Sequence, residues 1–255
     1  MPSAIRHDHE LSSKGLVSIL MERQGSNEAQ LESFMWQRFP ENDCYVCIGG
    51  FVPTPPSSGI PHGALIGVDG KLLWSGHPLS DAKQISELID AELDKVKKGW
   101  GDTAEARKVR AALYGKNSIG SAQALVAAMA EGEERTALQT EIDRRYASQK
   151  KAVATLQEDG RWIDAQDACK ALAKSVGKHE NWEPEIAELL ASFDSDAGKA
   201  ELAVDKKYAK VVKMLRDKKS DAAPKAIEAV LKKAEGTKVG ARAQRTLTAL
   251  KTEPR

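Results

Sequence analysis

The sequence has few cysteines, and this scarcity excludes one class of fold. Three cysteines in 255 residues cannot form the disulfide framework that holds small secreted domains together. The chain also lacks any apolar run close to the ~18 residues that a membrane span needs, and it does not open with a charged-then-apolar signal peptide. We therefore predict no membrane span and expect the fold to depend on buried hydrophobic cores.

An excess of charge of one sign is also missing. Lys and Arg number 38 and Asp and Glu number 37, which gives a formal net charge of +1. A chain with this balance has no global electrostatic attraction for nucleic acid or for anionic lipid. We predict neither as a partner, and the length is sufficient for two domains.

The clearest pattern that is present is an Asp-Gly pair between two apolar runs. The segment 59–78 reads Gly-Ile-Pro-His-Gly-Ala-Leu-Ile-Gly-Val-Asp-Gly-Lys-Leu-Leu-Trp-Ser-Gly-His-Pro. Asp69-Gly70 predicts a β-hairpin closed by a type I′ turn, in which both central residues have positive φ. Because the proline of Ile60-Pro61 cannot donate a ladder hydrogen bond, it is expected at the start of the first strand, and we predict a cis peptide bond there.

This hairpin resembles the second half of a thioredoxin fold, in which a cis-proline stands at the same point. The resemblance is closest to the thiol-disulfide oxidoreductases of the bacterial envelope, and it covers residues 1–99. It implies a strand at 16–21, a helix at 26–38 capped by Ser26 or Asn27, the hairpin, and a closing helix at 80–97. The closing helix has apolar side chains on one face, at Ile85, Leu88, Ile89, Leu93 and Val96.

The active-site motif of that family does not stand where the resemblance places it. These enzymes carry Cys-x-x-Cys at the N-terminus of a helix, which lowers the pKa of the attacking thiol. Residues 1–15 resemble the middle and end of that helix, so the motif and the central strand of the sheet would precede residue 1. Strands 16–21 and 63–68 would then lack the strand between them. Two explanations stay open: the protein starts further upstream, or the domain is a decayed thioredoxin-like module without redox chemistry.

A Cys-x-x-Cys does occur at Cys44-Tyr45-Val46-Cys47, and it is a candidate redox pair. It lies in an apolar, β-branched and aromatic run before Gly49-Gly50, which predicts a strand. Side chains three positions apart on a strand point to opposite faces, so a disulfide between them would require distortion. We interpret Cys44, Cys47 and Cys169 as buried core residues, with a redox or metal pair at Cys44 and Cys47 as the alternative. No further zinc ligands stand at suitable spacing, so we predict no metal and no cofactor.

The resemblance also assigns a substrate groove around the predicted cis-proline. Gly59, Ile60 and Pro61 would shape this groove, and His62 would lie beside it, either in polar contact with a bound peptide or in a structural role. We name no catalytic residue in the chain as given. The resemblance implies the bacterial envelope or periplasm if an export signal lies upstream, and the cytoplasm otherwise.

The composition changes at Gly99-Trp100-Gly101-Asp102. From residue 100 to 255 the chain is rich in Ala, Lys, Glu and Leu, nearly free of proline and periodic at helical spacing, which predicts an all-helical domain. A degenerate repeat is expected at about 146–203 and 208–251, with Tyr146 and Tyr208 in corresponding places. Stacked helical hairpins of this kind bind other proteins, and a three-to-five-helix bundle is the alternative.

The sequence therefore predicts an α/β chain: a partial thioredoxin-like fold, with its central strand missing, followed by an all-α helical-hairpin or repeat region. The predicted function is that of a thioredoxin-like protein of the thiol-disulfide oxidoreductase type, without redox activity in the chain as given. The alternative is a non-enzymatic interaction module built on the degenerate scaffold and the helical repeats. Both interpretations require a protein or peptide partner.

Overall fold

The computed structural model describes residues 2–40, 42, 44–50, 61–217 and 220–252. Its elements in chain order are α1 (Pro2–Leu11), β1 (Ile19–Glu22), α2 (Glu28–Arg38), β2 (Tyr45–Ile48), β3 (Gly63–Ile66), β4 (Leu72–Gly76), α3 (Ala82–Lys98), α4 (Ala104–Arg110), α5 (Ile119–Ala127), α6 (Glu133–Glu158), α7 (Trp162–Val176), α8 (Glu183–Asp194), α9 (Asp196–Arg216), α10 (Ala223–Leu231) and α11 (Lys238–Lys251). An α/β region followed by a helical region is thus confirmed.

The chain divides into two compact units. Unit 1 contains Met1–Arg23 and Asp43–Leu138, and unit 2 contains Gln24–Asn42 and Gln139–Arg255. This division differs from the predicted domains 1–99 and 100–255, because unit 1 runs past the closing helix and unit 2 includes α2.

The strands of unit 1 form two separate two-stranded sheets. β1 pairs with β2 in parallel, and β3 pairs with β4 in antiparallel. The predicted strands at 16–21, 44–48 and 63–68 are present in shortened form, and the predicted hairpin is confirmed. No hydrogen-bonded ladder joins the two sheets among the residues described.

The turn of the hairpin differs from the predicted type I′. Ile66 pairs with Leu72, so five residues lie between the paired positions instead of the two that a type I′ hairpin has. The Gly70 amide donates to the Gly67 carbonyl oxygen at 3.0 Å, and Gly70 has φ 80°. Asn117 is the one described non-glycine residue with positive φ, so Asp69 does not have the backbone that a type I′ turn requires.

The closing helix α3 is held against the hairpin by polar contacts as well as apolar ones. Ile89 and Glu92 are its buried residues, and a Glu92 carboxylate oxygen accepts a hydrogen bond from the Val68 amide at 2.9 Å. Glu92 also pairs with Lys95 on the same helix. The predicted helix at 80–97 is confirmed, and its buried acid ties it to the hairpin turn.

Unit 1 continues beyond α3 because the next helices pack onto its end. α4 runs into a π-helical segment at Ala111–Gly115, which lies against α3. A Cβ built on Gly115 would come within 2.8 Å of the Val96 carbonyl oxygen, so this approach requires glycine. The core of this part of unit 1 is formed by Val109, Leu113, Ile119 and Val126.

α2 lies in unit 2, although the resemblance places the helix at 26–38 in the thioredoxin-like domain. Asn27, one of the two caps that the sequence predicts, caps the helix in a capping box with Gln30. The buried Ser33 hydroxyl donates a hydrogen bond to the Thr252 carbonyl oxygen at 2.6 Å, and Trp36 packs against the apolar core cluster of α9 to α11. Both contacts are with residues of unit 2, so they hold α2 in this unit.

Apart from α2, the helices of unit 2 follow one another as two triplets, α6 to α8 and α9 to α11. The predicted repeat segment 146–203 begins within α6 and ends within α9, and the segment 208–251 begins within α9 and ends with α11. Gly177 and Gly236 stand between the second and third helix of each triplet, and both have positive φ, of 66° and 73°, a backbone that favours glycine. Trp162 packs against the buried clusters of both triplets.

Candidate binding face of the two-stranded sheet

The start of β1 is positioned by α1. Ile5 and Asp8 are the buried side chains of this helix, and the Asp8 carboxylate accepts a hydrogen bond from the Ser18 amide at 3.2 Å. Because a buried carboxylate needs such a donor, Asp8 holds the chain at the residue before β1.

The register between β1 and β2 places four apolar or weakly polar side chains on one face. Ile19 pairs with Tyr45, and Met21 pairs with Cys47. Ile19 is 52% exposed, Tyr45 68% and Met21 37%, and Cys47 is also exposed. The side chains on the other face, Leu20 and Val46, are half-buried. We call Ile19, Met21, Tyr45 and Cys47 the apolar sheet face.

This face lies on a short parallel sheet. In the described part of the chain, β1 and β2 have only each other as ladder partners. An exposed apolar face on a parallel pair of strands is unusual, because parallel sheets are usually covered on both faces. The exposed apolar side chains therefore mark a surface that can bind another chain segment.

The two cysteines of the candidate redox pair lie in different environments. Cys44 is buried and precedes β2, whereas Cys47 is exposed within the strand, and neither is in a disulfide. The prediction that both are buried is therefore wrong for Cys47. Cys169 is buried in α7, as predicted, and burial raises the pKa of its thiol.

The predicted groove residues are only partly described. Gly59, Ile60 and the Ile60–Pro61 peptide bond lie outside the described residues. Pro61 and His62 are exposed and directly precede β3. The structure therefore places Pro61 and His62 beside the hairpin sheet, Cys47 in the other sheet, and Cys44 directly before it.

Two buried carboxylates in unit 2 were missed by the sequence analysis. Glu201 accepts hydrogen bonds from the Lys238 and Val239 amides at 2.7 and 3.1 Å. Asp205, one turn later on α9, accepts from the Ile163 amide at 2.8 Å. Each carboxylate thus caps the N-terminus of another helix, where backbone donors lack intrahelical partners. The sequence signal for these carboxylates was a pair of acids four residues apart, Glu201 and Asp205, on the apolar face of α9.

The described residues contain no group of three or more His, Cys, Asp or Glu side chains that could hold a metal ion. Among their helices, none combines the length and apolar character needed to cross a bilayer.

Comparison of the chain with models of protein families, with curated proteins and with solved structures gave no match.

Proposed function

We propose that unit 1 is a thioredoxin-like scaffold that binds an extended segment of a partner protein and has no thiol-disulfide activity of its own. The order of its elements supports this proposal. A strand, an antiparallel hairpin and a closing helix follow one another in unit 1 in the order that the resemblance gives them.

The observation that carries the proposal is the apolar sheet face, which is exposed on a short parallel sheet. An extended segment that lies along this face would bring every second of its side chains into contact with the apolar sheet face. Such a partner segment would be extended and would have apolar residues at alternate positions.

The environment of the thiols supports the absence of redox activity. A thiol becomes an effective nucleophile when a helix N-terminus or a nearby cation lowers its pKa. Cys47 lies within a strand and Cys44 is buried before it, so neither stands at the N-terminus of a described helix. The Cys44 side chain is buried and the Cys47 side chain is exposed, which also keeps the two thiols apart.

Site-specific photocrosslinking tests the binding proposal. We would replace Tyr45 by a photoreactive phenylalanine analogue in the full chain, with the same replacement at Leu125, an exposed residue of α5 in unit 1, as the control. After irradiation in extract of the source cells, mass spectrometry would identify the crosslinked peptides. We expect crosslinks from position 45 to one extended segment with apolar residues at alternate positions. These crosslinks should be absent at position 125 and should be lost when Ile19→Lys is added. The same set of crosslinks at both positions would contradict the proposal.

Insulin reduction tests the second part of the proposal. The purified chain with dithiothreitol should precipitate insulin no faster than dithiothreitol alone, because neither Cys44 nor Cys47 stands at the N-terminus of a described helix. Turnover that Cys44→Ser abolishes would instead establish Cys44 and Cys47 as a redox pair.

A further inference from the structure

One face of α9 carries a row of lysines that points away from the core of unit 2. The buried residues of this helix include Val204, Tyr208, Val211 and Leu215. Lys199, Lys206, Lys210 and Lys213 lie on the opposite face and are all exposed. At 1.5 Å per residue the row is about 21 Å long. We call these four residues the lysine stripe.

The positive charge of this stripe is not balanced locally. No ion pair joins any of its four lysines to a carboxylate in the part of the chain that the structure describes. The two acids in the middle of α9, Glu201 and Asp205, are buried on the other side of the helix and cap other helices. From residue 206 to 216 the sequence contains five cations and no acid.

The helix before α9 has the opposite charge. Residues 179–198 contain six acids and no Lys or Arg. On α8, Glu183, Glu188 and Asp194 are exposed. We call these three residues the acidic patch of α8.

The charge distribution along the chain favours a protein over a nucleic acid as the partner of the lysine stripe. Residues 196–255 hold 16 Lys and Arg against 8 Asp and Glu, which leaves 22 against 29 for residues 1–195. Nucleic acid would be repelled by the net negative part of the chain. The described exposed face of α9 also has no aromatic side chain on which a base could stack.

We propose that two copies of this chain associate through unit 2, with the lysine stripe of each copy against the acidic patch of α8 of the other. A second copy offers the complementary charge in the same unit that carries the stripe. A two-fold arrangement makes the contact twice and closes the assembly at a dimer. Because exposed ion pairs are individually weak and are screened by salt, the association is weak and salt-dependent.

Sedimentation velocity of the full chain over a range of concentrations tests this proposal. We expect reversible dimerisation at 25 mM NaCl and at least ~10-fold weaker association at 500 mM, where screening is strong. The triple variant Lys206→Glu, Lys210→Glu, Lys213→Glu should weaken dimerisation at low salt by at least ~10-fold, as the loss of several charge contacts implies. The matched control reverses three exposed lysines of α6 and α7, Lys151, Lys170 and Lys174, and should leave association unchanged.

A charge-swap variant completes the test. Glu183→Lys, Glu188→Lys, Asp194→Lys should also fail to self-associate, but a mixture with the stripe variant should form heterodimers, because one of the two contacts then has its charges exchanged and the other keeps its native charges. Circular dichroism would establish that each variant keeps its helices. A wild-type chain that stays monomeric at low salt, or a dimer that the stripe reversal leaves intact, would overturn the proposal. Binding of duplex DNA through the stripe without self-association would overturn it in favour of a nucleic-acid site.

Discussion

The Tyr208 hydroxyl donates a hydrogen bond to Thr246 Oγ1 at 2.8 Å, and this contact joins the first and third helices of the second triplet in unit 2. The preceding triplet has a corresponding contact, in which the Tyr146 hydroxyl donates to a Glu185 carboxylate oxygen at 2.8 Å. Thr246 in turn donates to Glu32 at 3.0 Å. Each triplet thus has a buried tyrosine that links its first helix to its third helix. In the second triplet, the hydrogen bonds continue from Thr246 to Glu32 of α2.

Removal of the Tyr208 hydroxyl should destabilise unit 2. Tyr208→Phe leaves Thr246 without its buried donor, and we expect a loss of about 1–2 kcal/mol in the free energy of unfolding. Tyr146→Phe is the matched variant, and its effect should be smaller because Glu185 is half-exposed and also pairs with Lys150. Urea unfolding followed by circular dichroism measures both. Equal losses of unfolding free energy in the two variants would contradict this prediction, because the more buried contact should contribute more.

Glu201 should be a major determinant of α11. Glu201→Ala removes the acceptor of two backbone amides, and we expect a loss of about 2–3 kcal/mol, since buried donors left unpaired are costly. Glu201→Gln retains an acceptor oxygen and should lose less. As a control, Asp167→Ala removes an exposed acid from α7 and should leave the unfolding midpoint unchanged. An Ala variant at position 201 as stable as the wild type would contradict the capping role.

Asp205 should make stability depend on pH in the acidic range. Burial, only partly offset by the Ile163 amide and Arg242, raises the pKa of Asp205 above its ordinary value of 3.8. A raised carboxyl pKa favours the folded state fully below pH 3.8, and this contribution is lost as the pH rises through the folded pKa. Asp205→Asn keeps an oxygen for the Ile163 amide but does not titrate.

The comparison of Asp205→Asn with the wild type by thermal unfolding tests this dependence. From pH 3.5 upward, the melting temperature of the wild type should fall relative to that of the variant, and the difference should become constant above the raised pKa. A difference that does not change with pH would show that burial does not perturb this carboxyl.

Thiol labelling should distinguish the three cysteines. Because Cys47 is exposed and Cys44 and Cys169 are buried, one equivalent of an aromatic disulfide reagent should react rapidly with the native chain. The remaining two thiols should react only after unfolding. Cys47→Ser should remove the rapid phase, and Cys44→Ser should leave it intact. Two rapid equivalents in the wild type would mean that Cys44 is accessible in solution.

Elements whose signals lie between near neighbours in the sequence were predicted well. The Asn27 cap of α2 depends on Gln30, three residues away, and the hairpin depends on an Asp-Gly pair between apolar runs. The position of α3 followed from apolar spacing within one helix. Capping, turn formation and helical periodicity are local interactions, so the sequence alone determined these elements.

Features that depend on distant partners were decided by the tertiary structure. Nothing local to α2 shows that Ser33 meets Thr252 at the other end of the chain, and for this reason the unit that contains α2 was predicted wrongly. The exposure of Cys47 likewise depends on tertiary structure, because the elements around β2 decide whether this side chain is covered. In the sequence, Glu201 and Asp205 resemble ordinary acidic residues of a helix. Only the packing of α7 and α11 against α9 brings the N-terminal amides of those two helices to these carboxylates. Burial and capping between elements are decided by how the elements pack. The hydrophobic periodicity of a single segment carries no information about that packing.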